Sequence, residues 1–208
     1  MKLLTKEERN FLRSLDSAKK IQDYLDSIPF NHEEDGETWR SAREVMIHKK
    51  AHCLEGAFLA CAALRLQKRA PLILSLKVIQ KDYDHVITLY KEGGYWGAIS
   101  KTNHAVLGFR DPVYKTIREL AMSYFHEYFL LANGEKTLRG YSRAINVNRF
   151  GTSWIYSPDG QRTLAEAISD APHRLIIPEG NQRFLRRATP LEISSASISQ
   201  DGMSITIV

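Results

Sequence analysis

The sequence contains little cysteine and no long apolar run. Only two of the 208 residues are cysteines, and no stretch approaches the ~18 consecutive apolar residues that a transmembrane helix needs. The N-terminal residues are charged but lack the apolar segment of a secretory signal. We therefore expect a cytoplasmic location and no membrane partner.

The two cysteines are too far apart to form a disulfide bond with each other. Cys53 and Cys61 are eight residues apart in a segment with helical character. On one helix that spacing separates their Cα atoms by about 12 Å along the axis, because the rise is ~1.5 Å per residue. A disulfide bond requires Cα atoms within roughly 7 Å of each other. Both thiols are predicted to be free.

Long blocks of like charge and low-complexity tracts are also missing. The 29 Lys and Arg residues are spread among 24 Asp and Glu residues, for a net charge of +5. No zinc-finger, helix-turn-helix or RNA-recognition signature accompanies them. The densest basic group, Arg183, Arg186 and Arg187, includes a single aromatic residue, Phe184. We interpret this group as a solvated helix face and expect no nucleic-acid partner.

Length and composition predict one domain. A hydrophobic fraction of 43% and a charged fraction of 25% are typical of a globular domain with a core. We predict a single domain over residues 1–208. Its last part, about residues 190–208, is predicted to be a β-hairpin extension that turns at Asp201-Gly202. The sequence does not predict an oligomeric state.

Apolar periodicity predicts helices on both sides of the central segment. A first helix covers residues 12–25 and stops before Pro29, a second covers residues 38–50, and a long helix covers residues 115–131. Weaker patterns predict a strand at 138–147, a short helix at 164–168, a strand at 175–177 and a helical turn at 181–187.

The segment Cys53-Leu-Glu-Gly-Ala-Phe-Leu-Ala-Cys-Ala-Ala-Leu64 carries the most information in the chain. Its apolar stripe and its many small residues predict a helix that is buried nearly all round. Cys61 lies within the stripe and is interpreted as a packing residue. Cys53 opens the helix, where unpaired N–H groups and the helix dipole lower the pKa of a thiol. Since the thiolate is the attacking species, Cys53 is a candidate nucleophile.

Three strands are predicted after this helix, at residues 72–79, 84–90 and 95–100, with residues 91–94 joining the last two as a hairpin. A four-residue connection would place His85 directly opposite Ser100, with their Cβ atoms about 4.5 to 5.5 Å apart. His85 shares its side of the strand with Ile87 and Leu89. We expect this face to pack against the helix that Cys53 opens.

A cysteine that opens a helix, then a strand histidine, then a polar group on the next strand resembles the transglutaminase-like branch of the papain-like superfamily. The resemblance covers residues 49–103, and Gly-Gly-Tyr-Trp at residues 93–96 is similar to the turn and tryptophan of such proteins. It implies an α+β fold in which a central Cys-bearing helix packs against an antiparallel sheet. Cys53 matches the nucleophile and His85 the general base.

The polar residue on the strand after His85 differs from the family, in which that residue is usually an aspartate. Ser100 occupies that place by hairpin pairing, and Asn103 follows three residues later. A serine hydroxyl or an asparagine amide oxygen can accept a hydrogen bond from the imidazole and fix its tautomer. Neither brings the negative charge that would stabilise an imidazolium. Both residues therefore remain candidates.

The resemblance implies thioester chemistry on an amide or ester, with a peptide, amide or small-molecule acyl substrate. His85 would remove the Cys53 proton and later protonate the leaving group, and water or an amine would release the acyl group. The Cys53 N–H and a second donor, Trp39 or His52, would bind the oxyanion. The alternative is a non-catalytic binding module that keeps a vestigial site.

No cofactor or metal is expected. The sequence has no calcium-binding loop of the kind found in animal transglutaminases. His48 and His52 are spaced four residues apart and precede Cys53, but zinc needs three or four ligands in tetrahedral geometry. Adjacent residues such as His52 and Cys53 rarely point at one ion.

Overall fold

An antiparallel sheet organises the chain, and helices pack on both of its faces. The structure, a computed structural model, describes residues 4–159 and 161–198. Its helices are α1 (Lys6–Ser14), α2 (Ala18–Ser27), α3 (Ala42–His48), α4 (Cys53–Leu66), α5 (Ile117–Met122), α6 (Ser153–Tyr156), α7 (Arg162–Ser169) and α8 (Pro190–Ala196). No helix in this described part is both long and apolar enough to cross a membrane.

The strands are β1 (Leu72–Val78), β2 (His85–Glu92), β3 (Tyr95–Ile99), β4 (Arg110–Tyr114), β5 (Leu138–Ser142), β6 (Ile145–Asn146) and β7 (His173–Leu175). They form one sheet in the order β4-β3-β2-β1-β5-β7, and β6 pairs with β1 beside β5. Every pairing is antiparallel. The predicted α+β class with an antiparallel sheet is confirmed.

Helix α4 is the buried helix that its sequence predicts. Residues 54–64 are all buried, because small side chains let the neighbouring elements approach closely. Gly56 is one such position, since a Cβ there would lie 2.5 Å from the Cβ of Lys101. On the sheet side, Thr88 Oγ1 of β2 donates a hydrogen bond to the Ala57 carbonyl oxygen at 3.2 Å. The Cys-bearing helix therefore packs directly on the sheet.

The two faces of β2 belong to two different hydrophobic clusters. Val86 and Tyr90 pack with α4 and the N-terminal helices. Ile87 and Leu89 pack on the opposite face with α5 and the aromatic residues that follow it. The prediction that the Ile87 and Leu89 face meets α4 is wrong. Both faces of the strand are apolar, so alternation alone could not identify the one that α4 covers.

The hairpin between β2 and β3 is tighter than predicted. Glu92 pairs with Tyr95, so Gly93 and Gly94 alone form the turn, and their φ angles are 56° and 88°. Two positive φ values fit the two-residue turn that hairpins prefer. The register is displaced by two residues from the prediction, so Ala98 lies opposite Leu89. A shift of two residues keeps each side chain on its face.

Several predicted elements differ in the structure. The long helix at 115–131 is divided into α5 and a 3-10 turn at Phe125–Glu127, and strand β4 precedes it. The helix predicted over 12–25 is interrupted, because the Ser17 side chain accepts the N–H of Lys20 and starts α2. The predicted hairpin of residues 190–208 begins instead with α8, where Pro190 and Thr189 form a helix start. Its turn at Asp201-Gly202 lies outside the described residues.

Candidate active site

Cys53 is the first residue of α4, and local contacts fix the start of the helix there. Helix α3 ends at Lys49, whose φ of 49° turns the chain out of the helix. Ala51 then forms a parallel bridge with Phe30, and His52 has the extended backbone of an N-cap. The N–H groups of the first turn have no carbonyl partner within the helix. Cys53 therefore lies at the positive end of the helix dipole.

A fully buried carboxylate, Glu55, attaches the preceding loop to the start of α4. Its Oε1 accepts hydrogen bonds from Thr38 Oγ1 at 2.7 Å and from the Arg40 N–H at 3.0 Å. Its Oε2 accepts from Asn31 Nδ2 at 3.1 Å and from the His52 N–H at 3.1 Å. Four hydrogen bonds offset the cost of burying the charge. They also hold His52 at the N-terminus of the helix.

The imidazoles of His52 and His85 both lie close enough to the Cys53 side chain to change its pKa. Burial alone would raise the pKa of the Cys53 thiol, but the hydrogen bonds and charges of the two histidines lower that pKa to about 5. A free cysteine has a pKa of about 8.5. With a pKa of about 5, the thiolate is the main form of Cys53 at neutral pH.

The pKa of the Cys61 thiol is shifted in the opposite direction. Its side chain is buried in the core, and its Sγ lies 3.9 Å from Thr88 Oγ1. Burial raises the pKa of the Cys61 thiol to about 12. Both cysteines are free, but only Cys53 has an environment that favours the thiolate.

A chain of hydrogen bonds determines which nitrogen of His85 carries the proton. The Nε2 of His85 lies 2.8 Å from Ser100 Oγ, which donates to the Leu107 carbonyl oxygen, also at 2.8 Å. A serine hydroxyl has one proton, so Ser100 must accept its other hydrogen bond from His85 Nε2–H. Nε2 of His85 therefore carries a proton, and Nδ1 is the nitrogen available to Cys53.

His52 shows the same division between its two nitrogens. Its Nε2 lies 2.9 Å from the Thr38 carbonyl oxygen, which can only accept, so Nε2 carries a proton. The Oε1 atoms of Glu55 and Glu33 lie 3.5 and 3.7 Å from the same nitrogen. Although burial lowers the pKa of His52, its contacts with Cys53 and the charge of Glu55 raise that pKa to about 9.

Cys53, His52 and His85 line a pocket of about 550 Å³. That volume is in the range of small-molecule sites, about 300–1,000 Å³. The pocket wall includes four carboxylate residues, Glu33, Asp82, Asp84 and Glu127, and four aromatic residues, Phe30, Tyr83, Tyr128 and Phe129. Tyr83 is 90% exposed, so its ring stands at the rim. Cys53 therefore lies at the wall of a cavity large enough for a small molecule.

The structure places the four predicted site residues in two groups. Cys53, His85 and Asn103 line the pocket, whereas Ser100 is buried and contacts His85 from behind. Of the two candidate partners, Ser100 is the one that contacts the His85 ring in the structure. The contact forms although the register differs from the prediction, because a histidine ring reaches a diagonal neighbour. Asn103 Oδ1 is buried without a hydrogen-bond partner in the described part of the chain.

Of the two proposed oxyanion donors, His52 lines the pocket with Cys53 and Trp39 does not. The Trp39 ring packs beneath the Arg162 guanidinium at 5.4 Å and does not line the pocket. His48 lies 3.5 Å from Glu44 on α3. Within residues 4–159 and 161–198, no three His, Cys, Asp or Glu side chains are grouped to hold a metal ion.

Two contributors to the site were not expected from the sequence, and a third was expected only in other roles. Leu107, whose carbonyl orients Ser100, and Gln22, which binds the Ser100 backbone, carry no sequence signal. His52 was considered only as an oxyanion donor or a zinc ligand. The available signal was Glu55, three residues after His52, because a glutamate at that position forms a capping box.

A comparison with protein-family models finds no match to this chain, and a comparison with curated proteins finds no significant relative.

Proposed function

We propose that this protein is a cysteine hydrolase or acyltransferase of the transglutaminase-like, papain-like type, which acts on an amide or ester. The observation that carries the proposal is the arrangement around Cys53. The thiol lies at the N-terminus of a buried helix, next to a histidine whose Nε2–H is bound to Ser100 and whose Nδ1 is free to exchange a proton.

In the first half-reaction the Cys53 thiolate attacks the carbonyl carbon of the substrate. The carbon–sulfur bond forms, the carbonyl becomes an oxyanion, and the bond to the amine or alcohol then breaks. The leaving group takes a proton from an imidazolium beside the sulfur. A thioester to Cys53 remains.

In the second half-reaction water or an amine attacks the thioester. His85 Nδ1 accepts the proton of this attacking molecule, and the sulfur leaves as thiolate. The Ser100 hydroxyl keeps the Nε2–H tautomer of His85 in place throughout. The Cys53 N–H, in the first turn of α4, is a donor for the oxyanion in both steps.

Reaction of the two cysteines with iodoacetamide tests the proposal. Peptide mapping by mass spectrometry, repeated across a pH series, gives the titration of each thiol. Cys53 should react with a midpoint far below the ~8.5 of a free cysteine, and buried Cys61 is the internal control. Turnover of p-nitrophenyl acetate should be lost in Cys53→Ala. A Cys53 that titrates as an ordinary thiol would overturn the proposal.

A second candidate is a non-catalytic binding module that keeps the pocket. One observation favours it: the partner of His85 is a neutral hydroxyl and not a carboxylate. This candidate predicts a reactive Cys53 thiolate without any acyl turnover. Detection of an acetylated Cys53 that is then hydrolysed would exclude it.

A further inference from the structure

We propose that His52 is a second catalytic histidine: it holds the Cys53 proton in the resting protein and delivers it to the leaving group, while His85 stays neutral until the second half-reaction. This inference rests on the proposed function. It assigns the two proton transfers of that reaction to two different residues.

The first observation is that two rings present the same nitrogen to one sulfur. His52 Nε2 is bound to the Thr38 carbonyl oxygen, and His85 Nε2 is bound to Ser100 Oγ. In each ring Nδ1 is the other nitrogen, although His52 Nδ1 also accepts the Leu54 N–H at 3.3 Å. Both rings line the same pocket as Cys53 and lower the pKa of its thiol. Either histidine is therefore placed to take the thiol proton, and their surroundings decide which one does.

The second observation is that negative charge surrounds only one of the rings. The Oε1 atoms of Glu55 and Glu33 lie 3.5 and 3.7 Å from His52 Nε2. In the described part of the chain, His85 has no carboxylate within ion-pair distance, and its partner is a neutral hydroxyl. An imidazolium is stabilised by nearby carboxylates. The positive charge therefore belongs on His52, because two carboxylates lie beside its ring. The Ser100 hydroxyl offers His85 no negative charge.

Two contacts disfavour a positive charge on His52, but they are weaker than its interactions with the carboxylates. The Leu54 N–H points at His52 Nδ1 from 3.3 Å, and that bond is lost when Nδ1 is protonated. The Arg40 guanidinium lies 4.0 Å from Glu55 and offsets part of its charge. A long neutral hydrogen bond contributes less than a buried interaction between full charges. The thiolate itself adds a third negative group beside His52.

The protons then balance over the cycle. At rest the site holds a Cys53 thiolate, a protonated His52 and a neutral His85. In the first half-reaction His52 Nδ1 gives its proton to the departing amine or alcohol and becomes neutral. In the second, His85 Nδ1 takes a proton from the attacking water or amine as the thiolate leaves. Transfer of that proton from His85 to His52 restores the resting state.

The experiment compares His52→Asn with His85→Asn, and uses His48→Asn on α3 as the matched control. Asparagine is a favoured N-cap, so His52→Asn keeps a cap on α4 while it removes the titrating group. The readout is the midpoint of Cys53 alkylation by iodoacetamide against pH. The rate at one pH is unsuitable, because a thiolate of higher pKa is also a better nucleophile.

Both histidines lower the pKa of Cys53, and we expect His52→Asn to move the midpoint further toward the ~8.5 of a free cysteine than His85→Asn does. With p-nitrophenyl acetate, His85→Asn should acetylate Cys53 and then fail to release the acetyl group. If His85→Asn raises the midpoint as much as His52→Asn or more, the inference is overturned while the proposed function stands. An ordinary thiol in the unsubstituted protein would overturn both.

A measurement without substitution covers the case in which a variant fails to fold. Nitrogen NMR of histidine-labelled protein at neutral pH reports the protonation of each ring. We expect both nitrogens of His52 to be protonated and His85 to be in the neutral Nε2–H form. The signals that are missing in whichever of His52→Asn and His85→Asn folds assign the two rings. A charged His85 beside a neutral His52 would overturn the inference.

Discussion

Gln22 holds the backbone of Ser100 through both ends of its side-chain amide. Gln22 Nε2 donates to the Ser100 carbonyl oxygen at 2.8 Å, and Gln22 Oε1 accepts the Ser100 N–H at 2.9 Å. Both residues are buried and lie 78 positions apart in the chain. Because Ser100 Oγ is the partner of His85, Gln22 of helix α2 helps to fix the position of the His85 ring.

Substitution of Gln22 by leucine should therefore weaken both the fold and the site. The change keeps the size of the side chain but leaves the buried N–H and carbonyl of Ser100 without partners. Each unsatisfied buried group costs about 1–3 kcal/mol, and urea unfolding measures the sum. Gln67→Leu is a control, because it removes a single bond to the Leu15 carbonyl. An unfolding free energy that falls equally in the two variants would contradict the prediction.

The effect of Ser100 on the site can be separated from its effect on stability by comparison with a second serine–histidine pair, in which the serine is also buried. Ser100→Ala leaves His85 Nε2–H and the Leu107 carbonyl unpaired. We expect a loss of about 1–3 kcal/mol in unfolding free energy and a decrease of roughly tenfold to a hundredfold in turnover of p-nitrophenyl acetate, part of what a general base contributes.

Ser75→Ala is the matched control for Ser100→Ala. Ser75 is also buried, and its Oγ lies 3.1 Å from His173 Nε2, away from the pocket. Its loss should lower stability in a similar way and leave turnover unchanged. Equal losses of turnover in the two variants would show that Ser100 acts only through stability.

The candidate site was largely predictable because its residues carry local signals. The small-residue segment after Cys53 identifies a buried helix, and the hairpin glycines bring His85 and Ser100 onto neighbouring strands. These inferences survive a register error of two residues, because side chains keep their face. The position of His52 as the N-cap of α4 was not predicted, because histidine is an uncommon N-cap. Its role depends on Glu33 and on the Thr38 carbonyl, which only the folded loop brings together.

The packing of the sheet was less predictable. In β2 both sets of alternating residues are buried, so the face that meets α4 is decided by the order of the strands and the path of the chain. The aromatic residues near Tyr124 and Phe125 predicted one long helix by periodicity. They instead fill the second core after a break at Ser123. Contacts between distant segments overrode local preference at these places.

Gly56 tests how closely α4 must approach the loop after β3. An added Cβ would lie 2.5 Å from Lys101 Cβ, and Lys101 is held in place because its Nζ donates to the Leu25 and Ile28 carbonyls. Alanine would gain about 1 kcal/mol in helix propensity, yet we expect Gly56→Ala to lower the unfolding free energy by about 1–3 kcal/mol through overpacking. Thermal and urea unfolding measure the net effect.

Gly108→Ala provides the comparison for Gly56→Ala. A Cβ at Gly108 would meet no atom within 4 Å. Its effect on the unfolding free energy should stay below about 1 kcal/mol. A Gly56→Ala protein as stable as Gly108→Ala would mean that Lys101 moves aside easily.

The pKa values of Cys53 and His52 predict how stability depends on pH. The pKa of Cys53 is lowered to about 5 in the folded protein, so its contribution is present above the unfolded value of ~8.5 and is lost as pH falls through about 5. The pKa of His52 is raised to about 9, so its contribution is present below the unfolded value of ~6.5 and is lost as pH rises through about 9. Between ~6.5 and ~8.5 the two dependences cancel, because folded and unfolded chains bind equal numbers of protons.

Below that plateau only the Cys53 dependence remains, so stability should fall between about pH 6.5 and 5, by at most about 1.4 kcal/mol per pH unit. Cys53→Ala removes the thiolate and with it the main cause of the raised His52 pKa, so the variant should lack this part of the decline. Burial also lowers the pKa values of His104 and His173, which adds an acid-side loss common to both proteins. The difference between their urea unfolding curves at each pH therefore isolates the Cys53–His52 pair. A constant difference across this range would show that the thiolate and the imidazolium are not formed together in the folded protein.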